Sequence, residues 1–423
     1  MNRVNQQLAT AEPAASSEDR AASLAAESKP AGKVESFPTP PPTQRDLRLD
    51  LFRGLALWLI FLDHIPTNIV SWITIRNYGF SDATEIFIFI SGYTAAFVYG
   101  KAMNERGLVV AGARILRRAW QIYVAHIFLF AIYMAEIAYV ASSFENPLYA
   151  EEMGVLDFLK QPDVTIVQAL LLKFKPVNMD ILPLYIVLLL LFPPILWLLL
   201  RSPTLALTTS VALYAASWEF GWNLPAYPSG TWFFNPFAWQ LLFVFGAWCA
   251  MGGAKRLSVV LQSPVTLAIA IAYLVFAFFI AMTWQIAALG QFVPDWLSSL
   301  IYPIDKTNLD VLRFAHFLAL GVVIVWFVPR DWSGLHWPIF RPAIWCGQHS
   351  LEIFCLGVFL AFAAHFIMGE ISGGVAMQIM VSIVGVGLMI GAGGLLSWYK
   401  AMEGRNPGSR TKTTDADLAG GEA

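Results

Sequence analysis

The stretch that decides the architecture is "FRGLALWLIFLDH", Phe52 to His64. An arginine opens a run of Leu, Ile, Phe and Trp, and an Asp-His pair closes it. At 100° per residue, the eleven steps from Arg53 to His64 turn through about 1100°, three turns plus roughly 20°. The two side chains therefore share one helix face, about 16 Å apart along the axis. That is about half of a ~30 Å hydrocarbon layer, with Arg53 near the cytoplasmic end and His64 towards the outer leaflet. Ionisable groups inside a bilayer are costly and tend to face a polar cavity. Arg53 alone also fits a cation snorkelling to the cytoplasmic interface, and His64 a cap on the outer end. For His64, the lack of other ionisable groups nearby except Asp63 favours function. Asp63 points about 100° off the shared face and need not be its partner.

The rest of the chain supports a membrane setting. Of 423 residues, 57% are hydrophobic and 13% charged, against roughly 25% charged in ordinary soluble domains. Mean hydropathy is +0.60. This is the composition of a polytopic membrane protein. A net charge of -2 suggests neither nucleic acid nor an acidic partner. Cys249, Cys346 and Cys355 are an odd set without paired spacing, so they predict packing rather than disulfides or a metal site. Residues 1–45, rich in Ala, Ser, Glu and Pro, and residues 401–423 read as disordered cytoplasmic tails. The first of these has no signal-peptide pattern.

Between the tails, residues 46–400 form the body. Ten apolar segments are long enough to span, at about 50–69, 85–103, 119–142, 181–200, 203–219, 236–253, 264–287, 309–328, 344–367 and 374–399. Basic residues gather in alternate loops: Lys101, Arg106, Arg114, Arg117 and Arg118, then Arg201, Lys255 and Arg256, then Arg330 and Arg341. Loops richest in Lys and Arg face the cytoplasm. The prediction is an all-α bundle of about ten spans with both termini cytoplasmic. The long 143–180 loop holds "MGVLDFLKQ" and "TIVQALLLKF", expected as short amphipathic helices at the outer surface. The aromatic loop "GWNLPAYPSGTWFFN", Gly221 to Asn235, suits an interface belt better than a sugar-stacking surface.

Polar residues within or beside the spans sort into two layers. The outer layer holds His64, Glu85, Asp180, Asp310, Arg313 and His316. The inner layer holds Arg53, Arg114, Arg117, Arg118, His126, His349 and Glu352. Asp310, Arg313 and His316 recur every three residues and form one stripe. An Asp310–Arg313 ion pair is the plain reading of that stripe, and it leaves His316 unexplained. His349 and Glu352 share a face, but without a second such pair they suggest a hydrogen-bonded pair rather than a metal site. An outer histidine has the right pKa range to take a proton from a hydroxyl. A basic inner mouth could hold a phosphorylated donor.

Arg and His bracketing ten residues on the first helix resembles the membrane acyltransferases of type three. "EIFIFISGY" (Glu85 to Tyr93) looks like their second-helix motif. "NMDILPLYIVLLL" (Asn178 to Leu190), "FNPFAWQLLFVFGAW" (Phe234 to Trp248), "DKTNLDVLRFAHFLALG" (Asp305 to Gly321) and "GQHSLEIFCLG" (Gly347 to Gly357) together resemble the OpgC-like family within that superfamily. The resemblance runs from about Asp46 to Lys400.

It implies a bacterial inner-membrane O-acyltransferase with no tightly bound cofactor. Such an enzyme would move an acyl group, succinyl by the family's named activity, from acyl-coenzyme A to hydroxyls of a periplasmic glucan or related glycan. His64 would be the general base and Arg53 would engage the donor. Arg114, Arg117 and Arg118 could hold its phosphates. His316 is a second acid-base candidate. Glu85 and Asp310 could orient an imidazole, and Arg313 could meet a succinyl carboxylate. Ser91 lacks a nucleophile elbow, which disfavours a covalent serine route. The rival reading is a proton-coupled transporter of a saccharide or small anion, which paired broken helices would support. Oligomeric state is left open.

Overall fold

A computed structural model describes residues 46–144, 148–330 and 332–405. Residues 1–45 and 406–423, which carry the first expected tail and most of the second, lie outside that set, while residues 401–405 of the second continue the last helix. All regular elements among the described residues are helical, and each of the ten apolar segments is built on helix. The principal helices are α1 (Leu47–Asp63), α2 (Ala83–Ser143), α3 (Ile181–Arg201), α4 (Pro203–Glu219), α5 (Pro236–Trp248), α6 (Pro264–Gln285), α7 (Val311–Phe327), α8 (Arg341–Gln348), α9 (Ser350–Glu370) and α10 (Val375–Arg405). Among the described residues, six helices are long and apolar enough to cross a bilayer by length and composition.

Local chemistry sets the helix starts. Asp46 caps α1 by accepting from Arg48 N at 3.1 Å. Asp82 caps α2 in a reciprocal box: its carboxylate accepts from Thr84 N at 2.8 Å while Glu85 accepts from Asp82 N at 2.9 Å. Asn235 caps α5 with Pro236 at the first helical position, where the missing N–H costs nothing.

The expected span 344–367 is two helices, α8 and α9, parted at His349, and two further differences bear on the site. The first span was expected to reach 69, but α1 stops at Asp63. Pro66 disfavours a helical residue before it, and Thr67 turns left-handed with φ 57°. The basic stretch 104–118 was expected as a loop. Instead the chain stays helical except at Gly107, whose φ of 81° breaks α2 into arms 83–106 and 108–143. Residues such as Ala102, Met103, Glu105, Arg114 and Leu116 are good helix formers, so both arms run beyond the apolar segments.

Close helix contacts fall at glycines. A Cβ on Gly54 would lie 1.8 Å from the Ala343 carbonyl oxygen, and one on Gly347 1.9 Å from that of Asp50. These glycines let α1 and α8 touch backbone to backbone. Gly92 and Gly246 do the same for α2 and α5. In a bilayer, where lipid is as apolar as Leu, such small-residue contacts hold helices together. The short helices Leu156–Lys160 and Pro162–Leu170 form where the long loop was expected to hold them.

Candidate active site

Helix α1 carries Arg53 and His64 to two different cavities. Arg53 is buried, and its Nη2 donates to Thr94 Oγ1 at 2.6 Å and weakly to the Ile90 carbonyl at 3.4 Å. It lines a cavity of about 140 Å³ on the side expected to face the cytoplasm, the inner cavity, with Ser91, Tyr99, Arg118, Tyr185 and Ser350. Of the three arginines expected beside the donor, Arg118 reaches this cavity. Arg114 and Arg117 are exposed outside it. His349 and Glu352 flank the cavity residues Ser350 and Leu351 without lining it.

His64 lines a cavity of about 430 Å³ on the side expected to face outward, the outer cavity. The segment 171–180 makes one wall. Phe174 and Met179 are buried anchors, and the backbone turns left-handed at Leu172 (φ 59°) and Asn178 (φ 71°). On either side of Phe174, Lys173 and Lys175 reach the cavity, and Asp180 joins them at the foot of α3. Asn178 Nδ2 donates to the His64 carbonyl at 3.4 Å, tying this wall to the end of α1. The loop 221–235 makes the opposite wall through Tyr227, Phe233 and Phe234. An interface belt therefore describes its exposed members, such as Trp222, but not the whole loop.

Lys306 completes the lining. It sits in a loop latched onto α5: Trp239 Nε1 donates to the Lys306 carbonyl at 3.1 Å, and Asn235 N donates to that of Thr307 at 3.0 Å. The stretches "FNPFAW" and "DKTNLD" are thus one joint.

The charges at this end divide into a closed knot and an open set. In the knot, Lys306 Nζ donates to Asp82 Oδ2 at 2.6 Å. Arg313 meets Glu85 Oε1 through Nη2 at 2.6 Å and Nε at 2.9 Å, and Asp82 Oδ2 at 3.2 Å. Burial pushes the Asp82 carboxyl up, but Lys306 and Arg313 outweigh it and hold the group well below the usual range. Two acids and two bases cancel. Arg313 pairs with Asp82 and Glu85, not with Asp310. Asp310 instead caps α7, accepting from Leu312 N at 2.8 Å. Glu85 and Asp310 are therefore committed elsewhere and do not orient an imidazole.

His316 is also closed off. Its Nδ1 lies 2.7 Å from Ser81 Oγ, and a Cβ on Gly79 would fall 2.0 Å from its Nε2. It packs 6.0 Å from the Phe80 ring, outside the outer cavity. Asp63 accepts from Thr74 Oγ1 at 2.7 Å and faces a separate groove with Trp72 and Arg76. That divergence from His64 is the offset expected of adjacent helical residues. His126 was expected in the inner layer. On the second arm of α2 it lies between Tyr123, which donates to the Leu170 carbonyl, and Phe130, which packs on Phe174, and so sits towards the outer wall.

In the open set, the His64 imidazole has no hydrogen-bonding partner among the described residues. Lys175 Nζ sits 4.1 Å over the Trp232 ring. Burial lowers Lys175 to about 8 against the opposing pull of Asp180. Burial raises Asp180 to about 6 although Lys175 and Lys306 pull it down. Asp82, Lys175 and Lys306 were missed in the sequence. Only the position of Asp82 three residues before Glu85, a capping-box spacing, could have flagged one of them.

The two cavities stand back to back. On α2, Thr84 lines the outer one and Phe87, a turn later, the inner. On α3 the adjacent residues Ile181 and Leu182 divide in the same way. Phe87 packs 6.3 Å from Phe354 on the inner side. No group of three or more His, Cys, Asp or Glu residues among the described residues could hold a metal ion. A family model described as OpgC protein matches residues 45–401. No curated protein and no solved structure matched the chain.

Proposed function

The chain belongs to the OpgC family, a membrane-associated acyltransferase of the glucan-modifying class, and on that premise we propose that it passes an acyl group from a cytoplasmic donor to a glycan hydroxyl on the other side of the membrane. The body crosses the bacterial inner membrane ten times with both termini cytoplasmic, in line with the basic inner loops. The donor is acyl-coenzyme A, with succinyl the favoured acyl group, and the acceptor is a periplasmic glucan. The observation that carries this reading is the pair of cavities on either side of residues 84–87, one holding Arg53 and Arg118, the other holding His64.

A volume of about 140 Å³ suits the narrow thiol arm of the donor. Its phosphates stay at the mouth beside Arg118, with Arg114 and Arg117 farther out on the same arm of α2. The thioester carbonyl is presented past Phe87 towards His64. There the imidazole takes the proton of a glucan hydroxyl. The hydroxyl oxygen bonds to the carbonyl carbon, the carbon–sulfur bond breaks, and coenzyme A leaves as thiolate. Returning the imidazole proton to the thiolate resets the site.

The test is transfer of radiolabelled succinyl from succinyl-coenzyme A to glucan by the purified protein in lipid. Wild type labels the glucan. His64→Ala loses roughly 10²–10⁴-fold in rate, the usual worth of a general base. Arg53→Ala raises the donor KM. Equal labelling by wild type and His64→Ala would remove the base assignment. Label carried across vesicles without reaching glucan would instead favour transport.

A further inference from the structure

Two facts about the outer cavity are unexplained by proton transfer. It carries more lysine than it can neutralise, and one lysine is held in place with no carboxylate in ion-pair contact, only the longer-range pull of Asp180. Lys306 is spent on Asp82. Arg313, the cation the sequence suggested for an acyl carboxylate, is buried and ion-paired with Glu85 and Asp82. Lys173 and Lys175 remain, facing Asp180 alone.

Of these two, Lys175 is the one with a built seat. The Trp232 ring lies beneath its ammonium at 4.1 Å, and the ring itself is buried. The Leu172 carbonyl accepts from Nζ at 3.4 Å. An ammonium has three donors, so the ring face and this carbonyl leave one for the cavity. Among the described residues no carboxylate forms an ion pair with Lys175. A fixed, half-buried cation beside the proton-accepting histidine wants an anion that arrives with the substrate.

We infer that Lys175 receives a terminal carboxylate on the transferred acyl group, so that the outer cavity selects a dicarboxylic acyl donor over an uncharged one. This rests on the acyl-transfer reading above. Once the thioester carbonyl reaches His64, the far end of a four-carbon dicarboxylic chain extends into the same cavity. There Lys175 meets it by a charge-assisted hydrogen bond. An uncharged acyl chain would leave the ammonium without that partner. The lowered proton affinity of Lys175, to about 8, fits a cation short of counter-charge.

The experiment compares succinyl-coenzyme A with propionyl-coenzyme A as donors to an uncharged glucan. It uses the full chain in lipid as wild type, Lys175→Met and Lys175→Arg. The expected readout is the ratio of kcat/KM for the two donors. Lys175→Met lowers the succinyl-to-propionyl ratio about tenfold or more, the worth of a lost hydrogen bond to a charged group. Lys175→Arg keeps most of it. In wild type the ratio falls as pH rises through about 8, where Lys175 loses its proton, and Lys175→Met flattens that profile.

Equal loss with both donors, or a changed glucan KM with an unchanged donor ratio, would overturn the assignment and move Lys175 to the acceptor side. A wild type that transfers neither acyl group would overturn the acyl-transfer reading and this inference with it.

Discussion

The knot around Arg313 and the cavity around His64 lie at the same end of the bundle and draw on neighbouring residues, yet they handle charge in opposite ways. In the knot, Asp82, Glu85, Lys306 and Arg313 satisfy one another at 2.6–3.2 Å. In the cavity, His64 has no hydrogen-bonding partner among the described residues, and Lys175 leans on a ring and a carbonyl. Ionisable groups at membrane depth are expensive in either case. The knot offsets that cost internally and so can serve as a structural joint between α2 and α7. The cavity leaves it unmet, which is reasonable where a substrate brings the missing partner.

The sharpest way to break this comparison is to remove one member of the knot. Arg313→Met leaves Asp82 and Glu85 buried beside one remaining cation, Lys306. Orphaning a buried ion partner costs about 3–5 kcal/mol. Thermal unfolding in detergent should show a large drop in midpoint or no folded protein. Lys175→Met, in the open set, should unfold close to wild type. Equal midpoints for the two variants would erase the distinction.

That distinction was only half legible in the sequence. The helices were legible, because runs such as Ile181 to Leu200 have no other reading in water or lipid. Helical pitch placed Arg53 and His64 on one face, whereas the structure puts His64 just past the end of α1 and the two residues in different cavities. The pairings were not legible. Arg313 lies 228 residues from Glu85, and spacing along α7 offered the nearby Asp310 instead. A stripe at every third residue says which groups share a face, not which face meets a neighbour. Lys175 was hidden for another reason. It lies in a loop whose course depends on Phe174 and Met179 docking into the core, a tertiary event with no local periodicity. The helix on either side of Gly107 was obscured because the charges at Glu105, Arg106, Arg114, Arg117 and Arg118 read as a loop, although they favour helix.

A second pair of variants sharpens the contrast between the two histidines. His316→Ala removes the contact with Ser81 and opens a gap beside Gly79. It should cost about 1–3 kcal/mol for an orphaned buried hydroxyl, with transfer per folded molecule retained. His64→Ala should show the reverse, a stable protein that does not transfer. Rates normalised to folded protein, beside unfolding midpoints, separate them. Loss of transfer in a fully stable His316→Ala would return that residue to the chemistry.

The smallest effect is expected at Asp310, and it decides between two roles for one carboxylate. As the cap of α7, Asp310 accepts from Leu312 N at 2.8 Å. Asp310→Ala should therefore cost about 1 kcal/mol. Asparagine caps helices about as well as aspartate, so Asp310→Asn should restore the unfolding midpoint. A carboxylate that supported a catalytic imidazole would behave differently. Asp310→Asn would then keep the stability and lose the transfer, because an amide cannot stabilise a charged imidazolium as a carboxylate does. Stability lost in alanine and regained in asparagine, with transfer intact throughout, places Asp310 with the joints of the fold and leaves His64 to work without it.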